Sequence, residues 1–171
     1  IEDVANTLIA GNYAGYLKKV DYRNEQLNML AVRKVHNAGD DDLRKSEILL
    51  DFVSNDISYV SDPGDGLEYA KDPLGTLHSG GGDCEDQSVL LCSLLESVGV
   101  KTYMAFTSDH VFALVRFQDT YSELSDVPYI LVDGKPGYIL DAADPDAKIG
   151  YGAASLQQIE HIFDVRTKAM A

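Results

Sequence analysis

The spacing of apolar and polar residues divides the chain into a helical first part and a strand-rich second part. Over residues 1–38, apolar residues recur at helical intervals in EDVANTLIAGNYAGYL and NEQLNMLAVRKV. The polar run NAGDDD at 37–42 then ends this pattern and supplies a helix N-cap. A further helix is predicted in DLRKSEILLDFVSNDI, which places five apolar residues on one face: Leu43, Ile48, Leu49, Phe52 and Val53.

The middle of the chain combines a polar loop with one strongly apolar helix. Residues 58–82 are dense in Gly, Pro and Asp, which predicts a long loop, and loops of that length are often functional. A helix is predicted from about Cys84 to Val98, closed by Gly99.

After this helix the pattern changes to that of strands. VKTYMAFT, HVFALVRF, PYILVD and GYILD are rich in β-branched and aromatic residues, and DGKPG predicts a turn between the last two. SLQQIEHIFDV is predicted to form a short closing helix. Helices followed by antiparallel strands indicate one α+β domain, with residues 1–42 as an N-terminal helical part, 43–152 as the core and 153–171 as a C-terminal helix.

Composition narrows the classes of partner. The chain has 171 residues, of which 45% are hydrophobic and 25% charged, and its net charge is −14. Such a surface disfavours nucleic acid and anionic membranes. No apolar run approaches the ~20 residues that a membrane-spanning helix needs. Because the chain opens at Ile1, an extracytoplasmic location is expected if a leader or anchor has been removed.

The two cysteines both fall in the predicted apolar helix. Cys84 and Cys92 are eight positions apart, which is ~12 Å along a helix. A disulfide requires Cα atoms within about 7 Å, so the two are not expected to pair. No spacing of Cys and His indicates zinc. Cys92, among leucines, is expected to be a core residue.

Cys84 is a candidate nucleophile because it is placed at a helix N-terminus. Asp83 is expected to be the N-cap, which makes Cys84 the first helical residue and Asp86 the partner in a capping box. Free N–H groups and the helix dipole lower a thiol pKa, whereas Asp83, Glu85 and Asp86 raise it. Either these carboxylates bond to the backbone or to basic side chains, or a hard cation such as Ca²⁺ neutralises them. A small buried residue at a helix start remains the simpler alternative.

A nucleophilic thiol needs a base and a group that orients the base. His110 is the first residue of the predicted strand HVFALVRF, and a strand end would hold its backbone rigidly. His78 is six residues before Cys84 and could reach the same site. His36 is expected at the surface and His161 in the closing helix. The orienting acid could be Asp141, which ends GYILD, or Asp133, which ends YILVD, unless both simply begin turns.

Three segments in this order resemble a known family. GGGDCEDQSVLLCSLLESVGV, DHVFALV and GYILDAADPDAKIG resemble the transglutaminase-like superfamily of papain-related thiol enzymes, and in particular its archaeal and bacterial cysteine-peptidase type. The resemblance covers residues 45–152. It implies a papain-like core, in which a central helix with an N-terminal Cys packs on an antiparallel sheet, extended here by N-terminal helices.

The resemblance also implies roles for individual residues. Cys84 matches the nucleophile, His110 the base and Asp141 the orienting acid, with Asp133 the weaker match. In the bacterial periplasmic proteases that share GDCED, acidic residues of the motif bind calcium, so Asp83, Glu85 and Asp86 become candidate calcium ligands. No other cofactor is expected.

Two departures bear on the reaction. The family's histidine is often followed by Ala-Trp, but here by Val-Phe, and the chain contains no Trp. A second oxyanion donor would have to be Tyr69, His78 or a backbone N–H. The expected function is hydrolysis of peptide or amide bonds through a thioester, with a protein or peptide substrate. The alternatives are a cross-linking transglutaminase and a non-catalytic or calcium-regulated binding domain.

Overall fold

The computed structural model describes residues 13–60 and 71–171 of the chain. A helical turn at 13–17 is followed by four helices. These are α1 (Glu25–Lys34), α2 (Asp42–Asp56), α3 (Pro73–Ser79) and α4 (Cys84–Ser97), with a short 3-10 helix at His36–Ala38 between the first two. The helices predicted in 24–35, 42–57 and 84–98 are therefore confirmed.

Seven strands form two sheets in the described part of the chain. A short parallel pair joins β1 (Ser58–Tyr59) to β2 (Gly81–Gly82). The larger sheet is antiparallel throughout, in the order β5-β6-β4-β3-β7. Its strands are β3 (Lys101–Phe106), β4 (Val111–Arg116), β5 (Ile130–Val132), β6 (Lys135–Leu140) and β7 (His161–Asp164).

Helix α4 is the centre of the fold. It packs against the helices α1, α2 and α3 and against the strands β3 and β4 of the large sheet. Its apolar residues are fully buried, which fits a sequence that is hydrophobic almost all round rather than along one stripe. The predicted α+β fold, with a central helix on an antiparallel sheet, is confirmed.

Both faces of the large sheet are buried, which explains the unbroken apolar runs in its central strands. Alternate residues such as Met104, Ala113 and Leu140 join the core shared with the helices. Their neighbours Phe112 and Ile139 join a second core. Side chains from 156–162 cover that second face, so a strand such as VFALV is apolar at every position.

Two predictions about secondary structure were wrong. The predicted C-terminal helix is a 3-10 helix, Ala153–Gln158, followed by the edge strand β7, which pairs with β3. The predicted long loop contains helix α3, with Asp72 as N-cap, Pro73 in the first turn and Gly80 as C-cap. The segment IEHIFDV forms a strand rather than a helix because it pairs with the edge of β3 that β4 leaves free.

Some predictions lie outside the described residues. Those for 1–12 and for 61–70, including Tyr69, cannot be compared with the structure. Among the residues that are described, no helix is both long and apolar enough to cross a membrane.

Candidate active site

The glycine triplet before Cys84 serves close packing of the backbone. Gly80 ends α3 in the left-handed conformation, with φ of 70°. At Gly82, a Cβ atom would lie 2.6 Å from the Cβ of Asp86. Only glycine therefore fits where β2 passes the first turn of α4. Gly81 and Gly82 are both buried, so the triplet sets the position of the helix start.

The first turn of α4 carries the predicted capping box. The Asp86 backbone N–H donates to Asp83 Oδ1 at 3.1 Å, and the Asp83 backbone N–H donates to Asp86 Oδ2 at 3.2 Å. The second Asp86 oxygen accepts from the Lys71 backbone N–H at 2.8 Å. Both carboxylates are buried and hydrogen-bonded to the backbone. Bonding to the backbone, rather than neutralisation by a cation, is therefore how they are kept from the thiol in this arrangement.

Cys84 lies at the helix start with only 8% of its surface exposed. Its thiol donates to Glu85 Oε2 at 3.4 Å. Burial first, then the negative charge of Glu85, raises the pKa of the Cys84 thiol to about 12, against a lowering by a hydrogen bond with the Val111 backbone. The thiol therefore lies beside the start of β4, and it is protonated at neutral pH in this arrangement.

His110 directly precedes Val111 and contacts the acid at the end of β6. His110 Nε2 lies 2.7 Å from Asp141 Oδ2. The other oxygen of Asp141 accepts from the Ala143 backbone N–H at 3.1 Å, which fixes the carboxylate. The bond to Asp141 is the main reason that the pKa of His110 is raised above its ordinary value, with burial opposing it. With Nε2 engaged, Nδ1 is the nitrogen left for a proton transfer.

The remaining candidates are exposed or have other partners. His36 and His78 are exposed, and His161 is on β7 with its ring centroid 5.8 Å from that of Tyr13, not in a helix. Asp133 accepts from the Tyr103 hydroxyl at 2.9 Å rather than contacting His110. The structure thus brings together His110 and Asp141 and places Cys84 at the neighbouring backbone. Among the described hydrogen bonds, none joins the Cys84 thiol to His110.

A match to a family model shows to which protein family this chain belongs. The model of the transglutaminase-like superfamily matches residues 29–120, which is more than half of the chain. The chain belongs to the transglutaminase-like superfamily.

Solved structures share the transglutaminase-like fold at low sequence identity. One is a proposed cysteine protease from Cytophaga hutchinsonii, 14% identical, with a TM-score of 0.53 over 87% of this chain. Another is a proposed protease from Parabacteroides distasonis, 15% identical, with a TM-score of 0.58 over 95% of this chain. This chain spans only 45% and 30% of those two proteins.

A third similar structure is calcium-bound LapG from Legionella pneumophila, 22% identical, with a TM-score of 0.44 over 82% of this chain and 83% of that one. A search of curated proteins gave no match.

The three candidate calcium ligands do not converge in this arrangement of the transglutaminase-like site. Asp83 and Asp86 bond to each other's backbone N–H groups, and Glu85 turns to the Cys84 thiol. Across residues 13–60 and 71–171, no three His, Cys, Asp or Glu side chains are grouped as a metal site. These hydrogen bonds engage the three carboxylates in the arrangement described here, and no step of the proposed reaction depends on a calcium ion.

Sequence reasoning missed two features of the site. Glu85 was treated as one of three equivalent carboxylates, although it alone contacts the thiol. Gln87 was overlooked. It is 1% exposed, and its Nε2 donates to Ile57 O at 3.1 Å. Its Oε1 has no hydrogen-bond partner among residues 13–60 and 71–171. The only signal in the sequence was a buried polar residue three positions after Cys84, on the apolar helix.

Proposed function

We propose that this transglutaminase-like protein is a thiol enzyme that cleaves peptide or amide bonds through an acyl-thioester. In the proposal Cys84 is the nucleophile, His110 the general base and acid, and Asp141 the group that orients the imidazole. The observation that carries it is the 2.7 Å contact between His110 Nε2 and Asp141 Oδ2, beside a helix N-terminus that bears the only cysteine near the site.

The steps follow from these positions. Cys84 Sγ attacks the substrate carbonyl carbon while its proton passes to His110 Nδ1, and the carbonyl π electrons move to oxygen. The N–H of Cys84 has no acceptor within the helix and would donate to that oxyanion. The intermediate collapses to a thioester, and His110 gives the proton to the departing amine. Water then attacks the thioester with His110 as base, releasing the acid and restoring the thiol.

The raised thiol pKa favours a particular form of this mechanism. A pKa of about 12 leaves Cys84 as a thiol before substrate binds. His110 would therefore remove the proton during the attack, rather than hold a preformed thiolate–imidazolium pair. Since His110 must be neutral to accept a proton, and its pKa is raised, activity is expected to increase as pH rises through that pKa.

Hydrolysis is preferred to transamidation on two grounds. The segment 58–82, which ends two residues before Cys84 in sequence, is dense in Gly, Pro and Asp, and this composition does not favour exclusion of water. Two proteins of similar fold, from Cytophaga hutchinsonii and Parabacteroides distasonis, are proposed proteases. A glutamine transglutaminase would use the same thioester with an amine in place of water.

A non-catalytic binding domain of this fold is the second candidate. The observation in its favour is that burial, and then the Glu85 carboxylate that accepts from the thiol, raise the pKa of Cys84 and so suppress its ionisation. Casein digestion and monodansylcadaverine incorporation into casein would be measured together for the wild type and for four variants. We expect digestion by the wild type and Cys92→Ala, and none by Cys84→Ala, His110→Ala or Asp141→Ala.

Incorporation of the amine without digestion would support the transglutaminase instead. Identical behaviour of the wild type and Cys84→Ala in both assays, together with slow alkylation of Cys84 by iodoacetamide that is unchanged in His110→Ala, would support the binding domain. Cys92 is fully buried in the middle of α4, so Cys92→Ala controls for loss of a thiol away from the site.

A further inference from the structure

A cavity of about 540 Å³ lies beside α2, outside the residues proposed for catalysis. We infer that it binds a basic, apolar segment of the protein substrate; this rests on the proposed function, and it adds a second site at which the substrate is recognised. The size is within the usual range of ligand sites in proteins.

The floor of the cavity is apolar. Leu43 and Leu50 of α2 and Leu124 of the neighbouring loop are largely buried and line it, together with Val127 and Ile149. Aliphatic side chains on three separate segments therefore surround a space that none of the described side chains fills. An aliphatic residue of a peptide would remove this surface from water, which is favourable in proportion to the apolar area covered.

The rim of the cavity is charged and mainly acidic. Its charged residues are Glu47, Asp51, Glu123, Asp146, Arg44 and Lys148. Within the described part of the chain, no ion pair of 4.0 Å or less joins either of the two cations to an acid of the rim. Asp51 accepts from Asn55 Nδ2 at 2.8 Å and Glu123 accepts from Ser122 Oγ at 3.4 Å, but both donors are neutral. The rim therefore keeps its excess of negative charge. An excess of acids at the rim, on a chain of net charge −14, favours a basic ligand.

Both walls of the cavity lead to the candidate active site. The loop that supplies Asp146 to Ile149 begins at Asp141, and a bond from the Gly150 N–H to Ile139 O at 2.8 Å closes its base. The other wall is α2, which ends at the C-cap residue Ile57. The backbone carbonyl of Ile57 accepts a hydrogen bond from Gln87 Nε2, in the helix of Cys84. A peptide that fills the cavity therefore contacts the loop that begins at Asp141 and the helix α2, which packs against the helix of Cys84.

A peptide fits these features better than a second copy of the chain. Two copies would each bring a net charge of −14 to an acidic rim, and this repulsion disfavours association. A basic segment instead gains from the same charges.

The test measures binding without catalysis. A fluorescein-labelled nonapeptide of alternating Lys and Leu would be titrated into the Cys84→Ala protein, with fluorescence anisotropy as the readout. An otherwise identical peptide with Glu in place of Lys is the probe control. We expect the Lys peptide to bind and the Glu peptide not to bind, and affinity to fall as salt is added.

The rim is tested by charge reversal on the Cys84→Ala background. Glu47→Lys with Glu123→Lys is expected to weaken binding at least about tenfold. The matched control is Glu25→Lys with Glu160→Lys, two exposed acids outside the cavity, which changes the net charge equally. Methyl NMR of the Cys84→Ala protein should show peptide-induced shifts at Ile48 and Leu124.

The outcomes separate this inference from the proposed function. Equal weakening by the two double variants, or methyl shifts that avoid the cavity, would overturn the binding site even if casein is digested. A dimer that is lost on Glu47→Lys with Glu123→Lys would also overturn it, in favour of a self-association surface. Binding at the cavity by a protein with no thiol chemistry would leave the site standing and remove only its link to catalysis.

Discussion

Replacing Glu85 by Gln should make the Cys84 thiol more reactive. The substitution keeps the shape of the side chain and removes the negative charge that lies 3.4 Å from Sγ. At that distance two unit charges interact by about 1.2 kcal/mol in water and about 5 kcal/mol at an effective dielectric of 20. A pKa unit corresponds to about 1.4 kcal/mol, so the thiol pKa should fall by about 1 to 3.5 units.

The expected gain in rate is smaller than the gain in thiolate. A thiol with a pKa of about 12 is almost entirely protonated at pH 8. Lowering the pKa by about 1 to 3.5 units raises the thiolate fraction by the same number of powers of ten, but nucleophilicity falls with a Brønsted slope of about 0.4–0.5. Alkylation by iodoacetamide at pH 8 should therefore become about 3- to 100-fold faster in Glu85→Gln.

The assay follows intact mass with time and assigns the modified cysteine by peptide mapping. Cys92 is 0% exposed, so only Cys84 should react in the folded protein. Glu25→Gln, an exposed residue in the first turn of α1, makes the same change in net charge far from the thiol. If Glu85→Gln and Glu25→Gln both react at the wild-type rate, Glu85 does not control the thiol and the reasoning is refuted.

Three other outcomes are expected. Gly82→Ala should cost about 1–3 kcal/mol in the free energy of unfolding, because its Cβ would lie 2.6 Å from Asp86 Cβ. Gly15→Ala should cost nothing in the same urea titration, because its Cβ would meet no described atom within 4 Å outside its own helical turn. Asp141→Asn should lower the melting temperature more at pH 6 than at pH 9. The pKa of His110 is raised by Asp141, so the stabilisation by this contact is complete below the ordinary His pKa and is lost as pH rises through the raised pKa. An equal fall in melting temperature at pH 6 and pH 9 would contradict this reasoning. About 1 mM calcium should leave the melting temperature of EGTA-treated protein unchanged relative to magnesium, because Asp83 and Asp86 are bonded to the backbone, and a calcium-specific rise would show that the capping box opens.

The helix of Cys84 could be predicted from sequence because its signals are local. Asp83 and Asp86 sit three positions apart before an apolar run, and this spacing is sufficient to form the capping box. Helix α3 has equally local signals in Asp72, Pro73 and Gly80, but the density of Gly and Pro in residues 58–82 concealed them. The failure there was in weighing the signals, since the information was present.

Strand β7 and the role of Glu85 depend on contacts that sequence does not show. The segment IEHIFDV has apolar spacing compatible with a helix, and it becomes a strand because β3 has an unpaired edge beside it. Glu85 contacts the thiol through its particular side-chain conformation, whereas Asp83 and Asp86 turn to backbone groups. Adjacent carboxylates of the same chemistry thus differ in effect, and only geometry separates them.

The contact between His110 and Asp141 depends on strand register, and the two cores hold that register. Ala113 pairs with Leu140 and Leu114 with Ile139, so Asp141 follows β6 on the strand next to the one that His110 precedes. A slip of one residue would exchange the two sheet faces, sending Leu140 towards the second core and Ile139 towards the helices. Because both faces are buried, each strand residue has a defined core, and a slip would disrupt both. The apolar residues of β4 and β6 therefore determine the register that brings His110 and Asp141 together, although they take no part in the chemistry.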